Sequence, residues 1–326
     1  MDALIFSLNA VLPLIIMALV GYMLGRVGLI AEGVPNVLNR MVFKLFLPPT
    51  LFLNIYRIES FGELDFGYVA YALLTVIVML ALTIPLVFWL SRDSSRRGVM
   101  LQAVFRSNYA LIGIPLATSL CGEAGAEVAA VLSAFAIPLF NVLAVVTLSL
   151  FSDFKGRVSV KRILLDIAKN PLIESIALGF IALGIREILS TGGIEWRITE
   201  VVPLFRVLES LSAVATPLAL VTLGSQFKFS AVGKMKLELI FSVLARTVAM
   251  PVLALSVAYI FFDFRATHYA SFVALFATPV AVSSVPMTQE MGGDTELAGQ
   301  IVVWSTASSA LTIFLFTFIL KLIGVF

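Results

Sequence analysis

Among 326 residues there is one cysteine, Cys121, and one histidine, His268. That scarcity excludes a disulfide framework, a Cys/His zinc site and a Cys–His dyad. Both residues are read as structural fillers. Charge is scarce as well: 13% of residues are charged, against about 25% in soluble domains. No G-x-x-x-x-G-K-[ST] run occurs, so an ATP-driven pump lacks its P-loop. A membrane-embedded enzyme would need a nucleophile–base set or paired acids on facing spans, and the chain offers neither. No catalytic residue, metal site or nucleic-acid surface is expected. The start, M-D-A-L-I-F, lacks the positive head and short apolar core of a cleaved signal and is read as the first span.

What the chain has in excess is apolar surface. Hydrophobic residues make up 60% and the mean hydropathy is +1.05. A soluble core cannot absorb that much, so most of the chain must face lipid or other membrane helices. Ten apolar runs have the length a bilayer demands, about 17 to 25 residues each: 4–25, 33–55, 66–91, 98–121, 125–151, 170–189, 200–226, 237–262, 268–291 and 295–322. They are too long for barrel strands and show no sustained alternation, so helices are the default. The fold class expected is an all-α membrane protein of ten transmembrane helices.

Orientation follows from the cations. Of 22 Lys and Arg, twelve fall in the connections after spans 1, 3, 5 and 7. The opposite connections hold Arg57, Arg186, Arg197 and Arg265, with Lys321 at the tail. The positive-inside rule then places both termini on the extracytoplasmic side of a cell (inner) membrane. The basic linker 153–169 divides the chain into a first group, 1–152, and a second, 170–326.

Two groups of five spans would be inverted relative to each other, and the prolines support a repeat. Pro49 and Pro217 are 168 residues apart, Pro85 and Pro251 are 166 apart, and Pro115 and Pro286 are 171 apart, each pair in corresponding spans. Proline removes an amide donor and clashes with the carbonyl four residues back. Pro115, with Gly113 and Ile114 before it, is expected to break span 4. Pro286 does the same in span 9, with Ser283, Ser284 and Val285 before it and Pro279 loosening the approach. The short second halves are expected over 115–121 and 286–292, their amino ends offering amides and positive dipole ends to an anion. Inverted repeats with paired broken helices point to a secondary transporter with a midplane site.

In span 4, N-Y-A-L-I-G-I-P-L resembles the Asn-x-x-x-x-Gly-Ile-Pro signature of the auxin efflux carrier family. P-L-F-N in span 5, P-L-A-L-V-T-L-G in span 7, P-V-A-V-S-S-V-P-M-T-Q-E-M-G-G-D in span 9 and S-T-A-S-S-A-L-T in span 10 are similar to that family's pattern. The resemblance covers nearly the whole chain. It implies the bile-acid–sodium symporter type of fold, with a scaffold of helices 1, 2, 6 and 7 and a transport unit of helices 3–5 and 8–10. It also implies an elevator mechanism, homodimers through the scaffold, and small organic anions as substrates: auxin in plants, malonate or malate in bacteria. The plant carriers place an acid and a lysine on the third span. Here F-G-Y-V-A-Y-A-L-L-T-V-I-V-M-L-A-L carries no charge, so the resemblance does not extend to that pair.

Asn108 can donate to a carboxylate and accept from an amide, or it can serve as a helix–helix hydrogen bond. Asn141, after Pro138, faces the same choice. Ser283 and Ser284 either bind an anion or a sodium ion or cap the loosened backbone. Gln289 and Glu290 follow Pro286; Glu290 is a candidate for coupling chemistry, though a solvated acid suits its place near the cytoplasmic end. Arg106 and Arg246 lie about a dozen ångströms deep, where snorkelling accounts for either and an anion path is open to Arg106. Arg40 and Lys44 share one face of span 2, for snorkelling or a subunit contact. Arg206 and Glu209 are spaced to pair with each other, and Pro48, Pro49 and Pro217 are expected to bend scaffold spans without touching substrate. No cofactor is expected; sodium or proton coupling stays open. A gated anion channel or a membrane sensor would also use broken helices, and the identity of the anion is not legible.

Overall fold

The structure is a computed structural model. It describes residues 2–31, 33–57, 66–151, 165, 168–227 and 233–326. The expected linker over 153–169 lies outside them but for 165, 168 and 169, and so does Lys228.

The described residues form helices and connections, with no strand. We number twelve helical segments: α1 Asp2–Arg26, α2 34–56, α3 Phe66–Leu90, α4 Ser94–Phe105, α5 109–120, α6 123–150, α7 Pro171–Thr191, α8 Val202–Gln226, α9 Lys236–Phe261, α10 Ala266–Phe276, α11 Ser284–Glu290 and α12 Thr295–Leu322. Each expected span corresponds to one of these, except spans 4 and 9. Span 4 is α4 and α5, span 9 is α10 and α11, and both are interrupted. Five stretches are long and apolar enough to cross a membrane: Phe66–Leu90, Tyr109–Leu150, Val202–Gln226, Lys236–Phe261 and Thr295–Leu322.

Local chemistry sets the ends. Asp93, Asn170 and Asp294 cap α4, α7 and α12, their side chains accepting from the amides of Ser95, Leu172 and Leu297 at 3.0, 2.9 and 2.9 Å. Such caps satisfy amides that the first turn leaves unpaired. Both short segments end at a glycine with positive φ, Gly122 (64°) after α5 and Gly292 (75°) after α11, and each then gives way to a long helix.

The prolines act differently from expectation. Three helices widen into π-turns, Val42–Phe46, Tyr109–Gly113 and Ala245–Ala249. Each lies two residues ahead of a proline: Pro48, Pro115 and Pro251. The carbonyl that a proline ring would strike belongs to the fourth residue back, which is Lys44, Leu111 or Thr247, the middle of each turn. Widening moves that carbonyl aside. The helix therefore absorbs Pro115 and continues through it. The interruption in span 4 lies upstream at 106–108, where Arg106 is extended (φ −83°, ψ 93°). In span 9 it covers 277–283, and Pro286 sits in the first turn of α11, where no amide donor is missed. The second halves begin at Tyr109 and Ser284, not at 115 and 286.

α1 packs on α8, and α2 packs on α7 and α8. The α1–α8 approach is backbone-close: a Cβ on Gly224 would lie 1.8 Å from the Ala18 carbonyl oxygen, and one on Gly21 would lie 2.0 Å from that of Val221. Around the other face, α3 packs on α4, α6 on α10, and α9 on α4, α10 and α12. α10 is the innermost segment, with every residue from His268 to Phe276 buried. His268 stacks on Tyr68 at 4.6 Å and its Nδ1 accepts from the Arg265 amide, a structural role.

Candidate functional site

The two interruptions meet. The Asn108 amide donates to the Pro279 carbonyl at 2.8 Å, the Ala281 amide donates to the Arg106 carbonyl at 3.1 Å, and Ser107 and Val280 face each other as an antiparallel bridge. The Val280 amide donates to Ser305 Oγ of α12 at 3.2 Å. Chain that has left its helix thus finds partners in the other break, which is what irregular backbone inside a membrane protein requires.

A cavity of about 460 Å³ opens against this crossing. One wall is Arg106, Ser107, Asn108, Asn141 and Ser283; the opposite wall comes from α2 (Thr50, Asn54) and α8 (Ser212, Thr216, Pro217). Leu51, Leu111, Ile137 and Phe140 supply apolar surface between them. Arg106 is 3% exposed. Its guanidinium donates to Gln102 Oε1 at 3.0 Å, Asn141 Oδ1 at 3.0 Å and Ser283 Oγ at 3.2 Å. The Asn141 amide donates to the Ile137 carbonyl at 2.8 Å, which turns its oxygen toward the arginine. Among the described residues Arg106 has no carboxylate partner. Asn108 Nδ2 and Ser107 Oγ are buried donors without a partner. One uncompensated positive charge and two idle donors at a cavity wall leave a place for a negatively charged group.

The other expected site residues lie elsewhere. Gly113, Ile114 and Pro115 are inside α5, where a Cβ on Gly113 would lie 2.9 Å from the Ala274 carbonyl oxygen of α10. Ser284 and Pro286 are buried in α11, with Ser284 Oγ unpartnered. The first amides of α11 are already used: Ser284 and Val285 donate to the carbonyls of Ala281 and Val282. Val285 lines a second cavity, of about 570 Å³, with Gly33, Asn36, Ser225, Gln226 and Glu296. Gln289 and Glu290 bind α2: Asn39 Nδ2 donates to Gln289 Oε1 at 2.8 Å, and Glu290 pairs with Arg40 at 3.2 Å and Lys44 at 3.6 Å.

Contacts the sequence could not display bear on four expectations. Arg40 and Lys44, expected to share a face for snorkelling or a subunit contact, both reach Glu290 of α11. Glu209 pairs with Arg57 at 2.6 Å rather than with Arg206. Arg106 and Arg246 point inward; Arg246 is 0% exposed. Its guanidinium donates to the carbonyls of Val104, Leu275 and Thr278. Pro217, expected to bend its span without touching substrate, lines the cavity. Thr50, Asn54, Ser212 and Thr216 are not among the expected site residues. The available signal was small polar residues within five positions of Pro49 and Pro217.

A family model described as membrane transport protein matches residues 6–317. An uncharacterised transporter of Methanothermobacter thermautotrophicus is 23% identical to this chain over 320 residues, covering 96% of it and 98% of the relative.

Proposed function

The chain belongs to the membrane transport protein family, that of the auxin efflux carriers and a family of transporters rather than enzymes, and from that premise we propose that it carries a small organic anion, a mono- or dicarboxylate, across the cytoplasmic membrane. The observation that supports an anion is Arg106, a buried guanidinium at the cavity wall whose partners are all neutral. A carboxylate seated there accepts from Arg106, Asn108 Nδ2 and Ser107 Oγ. It supplies the missing negative charge in a site where Coulomb forces are weakly screened.

The mechanism proposed is an elevator. α1, α2, α7 and α8 form the scaffold; α3–α6 and α9–α12 form the transport unit. The packing of α1 on α8 and of α2 on α7 and α8 supports the first group. Two further features support two inverted repeats of five spans. Each half has its fourth span interrupted, and each short second segment ends at a positive-φ glycine. With both termini extracytoplasmic, the 460 Å³ cavity opens outward, and the ties of Glu290 and Gln289 to α2 close the cytoplasmic side. The transport unit then slides past α2 and α8, carrying Arg106 and its anion together. Loaded with a monocarboxylate, the site is neutral and crosses an apolar barrier at lower cost than the bare guanidinium would. The scaffold's outer face pairs two copies as a homodimer.

Counterflow tests the reading. Purified protein in liposomes preloaded with unlabelled malonate, malate or indole-3-acetate should concentrate the same labelled anion transiently. A gated channel passes anions without counterflow and a sensor moves none; either outcome overturns the carrier.

A further inference from the structure

We propose that Arg246 is a built-in cation at the helix crossing, filling the place that a coupling sodium ion would need, so that anion transport runs without sodium. The inference rests on the carrier reading for its consequence, but its binding test does not.

α4 ends at Phe105 and α10 at Phe276. Each end leaves carbonyls without helical partners and carries about half a negative elementary charge. Both ends are buried and face each other across the crossing, so together they call for roughly one positive charge. In carriers with discontinuous helices, unwound carbonyls and such carboxyl ends are where a coupling cation is held, and sodium takes the same hard oxygen donors.

Here those oxygens are occupied. Arg246 Nε donates to the Thr278 carbonyl at 2.8 Å, Nη1 to that of Val104 at 3.0 Å, and Nη2 to that of Leu275 at 2.6 Å; the Phe105 carbonyl lies 3.5 Å from Nη1. One planar fork therefore serves both helix ends. The side chain enters from α9 at the π-turn Ala245–Ala249. It forms no ion pair among the described residues, so the carbonyls alone balance it. A guanidinium does not lose its proton in a protein, so the positive charge is permanent. A sodium ion could enter only by displacing it. The two buried arginines thus differ in what answers their charge: helix ends for Arg246, the transported anion for Arg106.

The test uses the full chain in detergent, without substrate, with sodium chloride against choline chloride at equal ionic strength. An ion that binds the native state raises the melting temperature. Equal melting in the two salts is expected; a saturable rise specific to sodium overturns the proposal whether or not the protein is a carrier. In liposomes, counterflow of labelled malonate, malate or indole-3-acetate should agree within about twofold between sodium and choline media. Uptake that follows an imposed sodium gradient refutes the proposal while leaving the carrier reading intact. Absence of counterflow for every anion would sink the carrier reading instead. Arg246→Ala should melt lower and recover on adding guanidinium chloride at low millimolar concentration, below its denaturing range, with Arg246→Lys in between. If Arg246→Ala does not fold, the wild-type comparison of salts still decides.

Discussion

Replacing Arg106 by glutamine separates a substrate-binding charge from a structural one. Glutamine keeps an amide near Asn141 and Ser283 but removes the charge. A carboxylate about 4 Å from a unit charge gains about 4 kcal/mol at an effective dielectric of 20, and a hydrogen bond to a charged group is worth about 1.5–3 kcal/mol. Taking about 2–4 kcal/mol as the loss, the anion should bind about thirtyfold to a thousandfold more weakly. Stability should move the other way. Arg106 has no carboxylate to strand, and its acceptors on Gln102, Asn141 and Ser283 are neutral. Removing an uncompensated buried charge is neutral or stabilising, whereas breaking a buried ion pair costs about 3–5 kcal/mol. The assay is equilibrium binding of a labelled carboxylate in detergent, paired with the melting temperature of the substrate-free protein. Affinity within twofold of wild type, or a collapse in melting with affinity retained, would refute the assignment.

Asn108→Ala removes an amide nitrogen with no partner in the empty protein, so melting should not change, while anion affinity should fall about fivefold to tenfold in the same binding assay. Gly224→Ala should lower stability by about 1–3 kcal/mol or more, because its Cβ would lie 1.8 Å from the Ala18 carbonyl oxygen, whereas Gly184→Ala, with nothing within 4 Å, should be neutral or stabilising in a thermal melt. Glu290→Gln loosens the hold on Arg40 and Lys44, so an impermeant maleimide should label Ser225→Cys faster, in a Cys121→Ser background; raised salt should act similarly on the wild type, since Arg40 is 68% exposed. Pro115→Ala should leave counterflow near the wild-type rate, because the π-turn at Tyr109–Gly113 already relieves the proline; a large loss would return the break to Pro115.

The interruption of spans 4 and 9 was legible because Pro, Gly, Asn and Arg are improbable neighbours in hydrocarbon. Its location was not. Proline announces a disturbance, but whether the helix breaks or widens depends on which neighbours can satisfy the freed carbonyls. At residues 42–46, 109–113 and 245–249 a wider turn was enough. At Arg106–Asn108 the second broken segment was there to accept and donate. Asn108, Asn141, Ser283 and Arg106 stood out as polar groups in apolar spans and line one cavity. Thr50, Asn54, Ser212 and Thr216 did not stand out, since a small hydroxyl or amide can bond its own helix unnoticed.

The sequence by itself determined the solvent, the two disturbed spans and the family, because hydropathy and run length act locally and must be met whatever the packing. Only the tertiary structure decided what each buried charge answers to. Arg106 and Arg246 look alike in sequence, each a lone cation deep in an apolar span. One faces a cavity with neutral partners, and the other is spent on the carbonyl ends of two helices that the chain separates by about 170 residues. Electrostatics at close range depends on distance and burial, and neither is written along the chain.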